Sequence, residues 1–505
     1  MADLSIPQHD DLYVVSDLHM GGTPGFQILK QGPRLGKLIR WVAQQRPGGR
    51  VGLVLNGDVI DSLAENINGY VAMDDAVAMI ERIFGYENFA PVWDALADFV
   101  KQPGRSLVVV VGNHDIELAL PPVQWAIRQR LAGNDDAANG RIFFSTTGAG
   151  YACLVRNARV FCTHGNEVDD WNLTDYEQLS ALAAQLNNGT PPDPSKWEPN
   201  AGTRMVKDVM NEVKRKFAWI DLLKPETKAA VGVLAVLDPG QLSKLSRGMP
   251  IIWGKIKGDL KLRGWLSADE SGVVDAQASE QVALQHLLGP NLLGGLQSSA
   301  PISASGDDLL RDAEARLRSP ARRSPASPEG TLGWGQMAWD KVTGVDTQEA
   351  LRRALMDWLQ EDKTFDVSDR DSTFKAVSAK TGPSVDFLIT GHTHLERAIE
   401  ITSGRRFYYN CGTWIRLLRF PDTVLKDTQA FGEIYSVLVD GSMQAIDDAT
   451  VPAAGGGRMP FVMDQTSAVR VASTNDGVVG NLLHVVDSGE SVTLQPVANT
   501  EFRRR

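Results

Sequence analysis

Residues 108–117 read VVVVGNHDIE, so four consecutive valines run directly into Gly112, Asn113, His114 and Asp115. A short, continuous apolar run that ends in turn residues predicts a strand buried on both faces. A strand buried in this way is a rigid support, and polar groups at its end hold fixed positions. The stretch therefore predicts a sheet that presents functional side chains at the ends of its strands.

Similar strand-like runs occur on both sides of this stretch. They lie at 12–17, 51–58, 159–166, 385–392, 405–414 and 433–441. Helical spacing separates the early runs, since Leu35, Leu38, Ile39 and Val42 recur at three- and four-residue steps. The alternation of buried strands with amphipathic helices predicts a layered α/β fold.

Five short polar clusters follow strand-like runs. They are DLH at 17–19, GDVID at 57–61, GNHD at 112–115, TH at 163–164 and GHTH at 391–394. The chain has eight histidines, and five of them lie in these clusters. Carboxylates, imidazoles and one amide at the carboxyl ends of strands predict a site for a pair of metal ions. The glycines at 57, 112 and 391 are expected to let the backbone turn there without a side chain that blocks the metals.

In their sequence and order, these five motifs resemble those of the calcineurin-like metallophosphoesterase family. The resemblance covers roughly residues 1–170 and 385–450. It implies two packed mixed β-sheets flanked by helices. The 228 positions from His164 to His392 are more than a compact family member needs, and they predict a large, mainly helical insertion. We expect a discontinuous core at 1–170 and 385–450, the insertion at 171–384 with a flexible Ser/Pro-rich stretch near 297–334, and a C-terminal extension at 451–505.

The resemblance also implies a role for each motif residue. Asp17, His19 and His394 would hold one metal, Asn113, His164 and His392 would hold the other, and Asp58 would bridge them. His114 would act as general acid, Asp115 would orient its ring, and Asp61 would lie behind the ligands and brace the turn or a ligand. Two divalent metal ions follow as cofactors, with manganese favoured and iron, zinc or a mixed pair left open.

A metal-dependent phosphoric ester or anhydride hydrolase is the function that this resemblance implies. A hydroxide that bridges the two metals would attack a phosphodiester or pyrophosphate bond. Family protein phosphatases usually carry arginine after the second motif, whereas GDVID is followed by Ser62 and Leu63. Two alternatives remain open, a nuclease acting on DNA or RNA and a non-catalytic phosphoesterase-like scaffold. The scaffold predicts missing ligands, and none is missing here.

The insertion carries most of the information about partners. Its residues 204–263 have an excess of Lys and Arg, although the whole chain has a net charge of −11. We considered a solvated helix face, a clamp for a small phosphorylated or nucleotide-bearing substrate, and contact with a lipid substrate or an anionic membrane. The motifs also resemble those of the UDP-2,3-diacylglucosamine pyrophosphatases, family members with a helical insertion beside the metals, although the insertion here is much larger. The net charge disfavours nucleic acid, but the basic insertion leaves it open.

The rest of the composition predicts a cytoplasmic location. The chain has three cysteines, a number and spacing that do not suit a disulfide scaffold and favour a reducing compartment. The first residues lack the pattern of a secretory signal, and no apolar run is long enough to span a bilayer.

Overall fold

The computed structural model describes residues 6–194, 197–224, 237, 347–359 and 363–504. The chain forms two compact units. The first comprises residues 1–203, 363–416 and 464–505, and the second comprises residues 204–362 and 417–463. The Ser/Pro-rich stretch near 297–334 and most of the basic segment lie outside the described residues, so their expected roles remain predictions.

The described strands fall mainly in the first unit. In chain order they are β1 (Gln8–His9), β2 (Asp11–Val15), β3 (Val51–Asn56), β4 (Arg105–Val110), β5 (Ile142–Ser145), β6 (Tyr151–Val155), β7 (Ala158–Cys162), β8 (Phe387–Thr390), β9 (Glu396–Thr402), β10 (Arg406–Cys411), β11 (Leu417–Leu418), β12 (Thr450–Pro452), β13 (Arg458–Pro460), β14 (Val462–Met463), β15 (Ser467–Thr474), β16 (Gly477–Asp487), β17 (Val492–Pro496) and β18 (Phe502–Arg504).

The described helices flank these strands. They are α1 (Gly32–Ala43), α2 (Ala76–Gly85), α3 (Ala90–Lys101), α4 (Pro121–Ala132), α5 (Asp136–Asn139), α6 (Tyr176–Asn187), α7 (Ala201–Met205), α8 (Asn211–Lys216), α9 (Thr347–Leu359), α10 (Ser372–Lys380), α11 (Asp422–Leu425), α12 (Thr428–Asp440) and α13 (Met443–Asp448). A π-helical turn, Val206–Met210, joins α7 to α8, and 3₁₀ turns lie at Ser62–Ala64, Ile116–Ala119, Asn166–Val168 and Ile220–Leu222.

Two mixed sheets form the first unit. The larger has the strand order β17-β16-β15-β2-β3-β4-β5, and β18 pairs with β16. Its segment β2-β3-β4-β5 is parallel. The smaller sheet has the order β1-β6-β7-β8-β10-β9, in which β7, β8 and β10 are parallel. The predicted fold of two mixed sheets with flanking helices is confirmed.

Side-chain alternation along the central strands separates two apolar cores. Val54 and Val108 pack with Val160 and Phe387 of the smaller sheet. The neighbouring positions on the same strands, such as Leu55 and Val109, face the opposite way and pack with helices α1, α3 and α4. Each fully buried Val or Leu contributes roughly 1.5–3 kcal/mol, so β3 and β4 are firmly held. These two strands end at the clusters of polar residues.

The C-terminal segment lies within this fold. Within the expected extension at 451–505, β15 pairs antiparallel with β2, with Val469 opposite Val14. Strands β16, β17 and β18 continue the sheet from there. The segment thus covers the edge of β2 that the parallel strands leave open, and an exposed sheet edge is a liability in any fold.

One described element of the second unit differs from the sequence prediction. Residues 433–441 were expected to form a strand, but they lie in α12 and its C-cap. Phe431, Ile434 and Leu438 are buried at helical spacing, while Val439 is exposed. Asp427 caps the N-terminus, and Gly441 ends the helix with φ 79°. The caps and the 3.6-residue period outweigh the β-branched content.

Among the residues that the structure describes, none of the helices combines the length and the apolar character needed to cross a bilayer.

Candidate metal centre

Five loops meet at the carboxyl ends of strands from both sheets. Three follow β2, β3 and β4 of the larger sheet, and two follow β7 and β8 of the smaller sheet. Backbone hydrogen bonds join them, since Asp17 N donates to Gly57 O at 3.2 Å and Gly391 N donates to His164 O at 2.8 Å. The loops that carry the five motifs therefore form one connected structure.

Three groups of potential ligands result, and within each group the ligand atoms lie within 4.8 Å of one another. They are Asp17, His19, Asp58 and His394; Asp58, His164 and His392; and His19, Asp61 and His114. Asp58 belongs to the first two groups, which is the position that a bridging ligand requires. The sequence prediction assigned the same residues to two metals, with Asn113 added to the second.

The backbone at this centre is in a conformation that most residues avoid. Eight described residues other than glycine have positive φ, and five of them belong to the metal motifs. They are Asp17, His19, Asp58, His392 and His394, with φ between 48° and 71°. Asp and His tolerate the left-handed region better than bulky residues do, and such strain concentrates at functional sites. The strain is sustained by the hydrogen bonds between the loops.

Asp17 is the most constrained of the carboxylates. It is completely buried, and both of its oxygens accept from His392 N at 3.1 Å. Ser16 Oγ donates to its Oδ2 at 2.5 Å, and Thr413 Oγ1 donates to its carbonyl at 2.9 Å. These contacts fix the carboxylate at the junction of the loops after β2 and β8.

Two of the motif glycines allow close approach rather than an unusual turn. A Cβ at Gly391 would lie 1.8 Å from Ser16 Oγ, and a Cβ at Gly112 would lie 2.2 Å from Asp58 Oδ1. Neither glycine has positive φ, so the expectation of a sharp turn does not describe them. The expectation that a side chain there would obstruct the ligands agrees with the distances.

His164 has its ring orientation set by the backbone. Nδ1 lies 2.9 Å from Asn56 O, which can only accept, so Nδ1 carries a hydrogen, and in the neutral ring Nε2 holds the lone pair. Nε2 lies 3.1 Å from Asp58 Oδ2. Burial disfavours the charged imidazolium, but Asp58 and Asp17 outweigh it and raise the pKa of His164 to about 10. This position therefore favours positive charge.

His19 and His394 face each other across the first group. Their Nε2 atoms lie 3.1 Å apart, and His394 Nε2 lies 3.3 Å from Asp17 Oδ1. Two imidazole nitrogens and a carboxylate oxygen thus border the same small volume. Such a set of nitrogen and oxygen donors suits manganese, iron or zinc.

Asp61 contacts the ring of His114, which is a role that the sequence prediction gave to Asp115. Asp61 Oδ1 lies 3.2 Å from His114 Nδ1, and its Oδ2 lies 3.5 Å from His19 Nδ1. Asp115 instead accepts from Val59 N at 2.7 Å and from Gly112 N at 2.6 Å. Asp61 therefore lies behind two motif histidines, and Asp115 ties the loop after β3 to the loop after β4.

The buried charges of the centre favour a cation. Asp17, Asp58 and Asp61 are almost completely buried together. Burial raises the pKa of Asp115 to about 8, and the charge on Asp58 adds to the effect. The amide oxygen of Asn113 is buried without a hydrogen-bond partner among the described residues, although such atoms are rarely left unsatisfied. A cation beside Asn113 and Asp58 would satisfy both the oxygen and the charge, so the donor set fits divalent metal ions.

Sequence reasoning missed two residues that touch the ligands. Asp169 Oδ2 lies 2.8 Å from His392 Nε2, and Asn56 supplies the carbonyl that orients His164. Asp169 lies outside the five motifs, and a single aspartate in a loop gave no signal. Asn56 could have been noticed, because a buried polar residue at the end of an apolar strand needs a partner.

The three cysteines are packing residues. Cys153, Cys162 and Cys411 are free thiols buried in the core between the sheets. Burial raises the pKa of each thiol, so these groups are unreactive.

Comparison with known proteins shows a family similarity over part of the chain. The family model for calcineurin-like phosphoesterases matches residues 11–206. The search of curated proteins and the search of solved structures found no match. The family match and the groups of Asp and His together indicate a metal-dependent phosphoesterase.

Proposed function

We propose that this chain is a dinuclear metallohydrolase that cleaves a phosphodiester or a pyrophosphate bond. The observation that carries the proposal is the position of Asp58, which belongs to two groups of ligands at once. A single metal would need only one of these groups, whereas a carboxylate shared by two groups can bridge a pair of ions.

The proposed ligands follow from the groups. Asp17, His19, Asp58 and His394 would hold one ion, and Asp58, Asn113, His164 and His392 would hold the other. Manganese is the first choice, with iron, zinc or a mixed pair as alternatives, because the nitrogen and oxygen donors suit all three. When bound, such a pair would polarise the phosphoryl oxygens and lower the pKa of a water molecule.

His114 is the proposed general acid. Its side chain is 21% exposed, whereas those of His19 and His164 are 2% and 0% exposed. Asp61 Oδ1 contacts the ring of His114 at Nδ1, and the backbone N of His114 donates to Asp58 Oδ1 at 2.9 Å. The ring is thus fixed in place but still accessible, as a group that protonates a departing oxygen must be.

The residue after the second motif supports cleavage of diesters or anhydrides over monoesters. Ser62 is completely buried, and its hydroxyl donates to His114 O at 2.8 Å. It braces the general acid and supplies no positive charge. A monoester carries one more negative charge than a diester, and Ser62 offers that charge no partner.

The substrate class that we propose is a small phosphorylated, nucleotide-bearing or lipid molecule. The similarity of the motifs to those of UDP-2,3-diacylglucosamine pyrophosphatases makes a nucleotide-linked lipid the first candidate. The basic segment 204–263 would bind an anionic substrate or the surface of an anionic membrane.

A substrate screen tests the proposal. The protein, loaded with Mn²⁺ after treatment with a chelator, is assayed with bis-p-nitrophenyl phosphate, p-nitrophenyl phosphate and nucleotide-diphosphate sugars. We expect two ions per chain and faster turnover of the diester or the pyrophosphate than of the monoester. Activity on the monoester alone would reject the substrate preference, and a chain that retains no metal would reject the dinuclear site.

A further inference from the structure

Asp169 contacts one of the proposed ligands from outside the five motifs. Its Oδ2 lies 2.8 Å from His392 Nε2. The side chain of Asp169 is 31% exposed and that of His392 is 10% exposed, so the pair lies at the rim of the buried centre.

The carboxylate is held in place independently of His392. Trp171 N donates to its Oδ1 at 2.9 Å, and Asn172 Nδ2 donates to its Oδ2 at 2.7 Å. The loop itself is anchored, because Asn166 is completely buried and its Nδ2 donates to Asn172 O at 3.1 Å. Asp169 is therefore a fixed acceptor for the ring of His392.

A carboxylate accepts hydrogen bonds, so the nitrogen that faces Asp169 must carry the hydrogen. The lone pair of His392 is then left on Nδ1. The same logic holds for His164, whose Nδ1 faces the carbonyl of Asn56 and whose Nε2 is left for a ligand bond. The two rings lie 5.3 Å apart between centroids and meet edge to face. In the second group, His392 is thus held through Nε2, and His164 is held through Nδ1.

We propose that Asp169 is a positioning residue that holds His392 with its Nδ1 lone pair directed to the second metal group. This inference rests on the proposed function, because it assumes that the group of Asp58, His164 and His392 holds a metal ion. Partners of this kind behind a metal-binding histidine typically contribute about 10–100-fold in metal affinity.

The variants Asp169→Asn and Asp169→Ala test it, with Asp170→Asn as the matched control. Asp170 is the adjacent acidic residue, and its side chain is exposed. Binding of Mn²⁺ to the metal-free full-length chain is measured by calorimetry, and the metal content is measured after dialysis. Thermal unfolding of each metal-free variant shows whether it is folded.

Wild type should bind two Mn²⁺ ions, and Asp170→Asn should bind both with the affinities of wild type. Asp169→Asn should bind one of the two ions about 10–100-fold more weakly, and Asp169→Ala should match or exceed that loss. If Asp169→Ala binds both ions within about twofold of wild type, the inference is overturned while the dinuclear site stands. If wild type binds no ion, both are overturned.

A spectroscopic measurement separates positioning from a merely structural role. The chain is labelled with ¹⁵N-histidine and loaded with diamagnetic Zn²⁺, and the His392 signals are assigned from a His392→Gln variant. In wild type, the ¹⁵N signals should show that His392 carries its hydrogen on Nε2. Asp169→Ala should change the signals of His392 and leave those of His164 unchanged. A hydrogen on Nδ1 of His392 in the wild-type spectrum would overturn the inference.

Discussion

Asp11 and Asp17 lie at opposite ends of the same strand, and both are buried. Asp11 begins β2 and accepts from Arg46 Nη2 at 2.7 Å and Arg470 Nη2 at 2.9 Å. Asp17 lies two residues past the end of β2, has positive φ, and shares its surroundings with Asp58, His19 and His394. The chain supplies arginine to balance the first carboxylate, whereas at the second it gathers further carboxylates and imidazoles.

The histidines at the two ends differ in the same way. His9, at the end of β1, lies 2.8 Å from Tyr151 Oη, and burial together with the charge of Arg50 lowers its pKa to about 4. His164 is also buried, but the carboxylates around it raise its pKa to about 10. At the end of the strand where Asp11 lies, the buried charge is therefore neutralised by arginines of the protein itself. At the other end, the buried carboxylates favour positive charge beside them.

The strongest test of this difference is Asp58→Asn. Because Asp58 belongs to both ligand groups, we expect the variant to lose both ions and to lower turnover by more than about 10²-fold, which is the upper cost of losing a partner behind a single ligand. Metal analysis and kcat on a phosphodiester measure it. The control is Asp11→Asn, which should keep both ions. A variant that keeps two ions at wild-type affinity would show that Asp58 does not bridge.

The second test is His114→Ala. A positioned general acid contributes typically about 10²–10⁴-fold, so the variant should lose about that much kcat with a poor alkyl leaving group. With p-nitrophenolate, which leaves without a proton, the loss should be much smaller. Equal losses with both leaving groups would remove the general-acid role. Metal content should stay at the wild-type value, which separates this effect from that of Asp58→Asn.

The third test addresses the balanced end of the strand. Asp11→Asn removes the charge that Arg46 and Arg470 share, and hydrogen bonds to charged groups contribute about 1.5–3 kcal/mol. The two arginines are more than a third exposed and can be rehydrated, so we expect a cost near the lower value. Urea unfolding of the metal-free chain measures the free energy. No change, or a change in metal content, would contradict a purely structural role.

The smallest expected effect concerns pH. The pKa of His9 is about 4 when folded and 6.5 in the reference state, so the unfolded chain binds the extra proton between these values. Stability must then fall as pH decreases from 6.5 towards 4, and the contribution of His9 is about 1 kcal/mol at about pH 5.5. His9→Gln should remove this contribution to the pH dependence of the free energy of unfolding. The comparison uses urea unfolding of both metal-free proteins, and parallel pH profiles would contradict the assignment.

Much of the metal centre could be predicted from local sequence. Buried strands such as 108–111 are continuous apolar runs, and the polar residues at their ends must lie at the same edge of a parallel sheet. That geometry depends only on the strand period and the chain direction, so Asp17 and Asp58 could be grouped before any coordinates were known. His164 follows a strand of the smaller sheet, and only the order of the motifs grouped it with them. The helix α1 was equally predictable from the spacing of its apolar residues.

Long-range partners could not be predicted in this way. Whether Asp61 or Asp115 contacts His114 depends on how two loops pack, and both residues fit the same motif pattern. The pairing of β15 with β2 joins residues more than 450 positions apart. In α12, the β-branched content favoured a strand, and only the caps and the burial of one face decided for a helix.

The sequence by itself determined which side chains could bind metal and at which strand ends they stand, because strand periodicity and residue chemistry are local properties. Only the tertiary structure decided which aspartate braces which histidine, that Asp169 lies against His392, and that the C-terminal strands complete the larger sheet. Those choices depend on packing between segments far apart in the chain, and no local pattern encodes that packing.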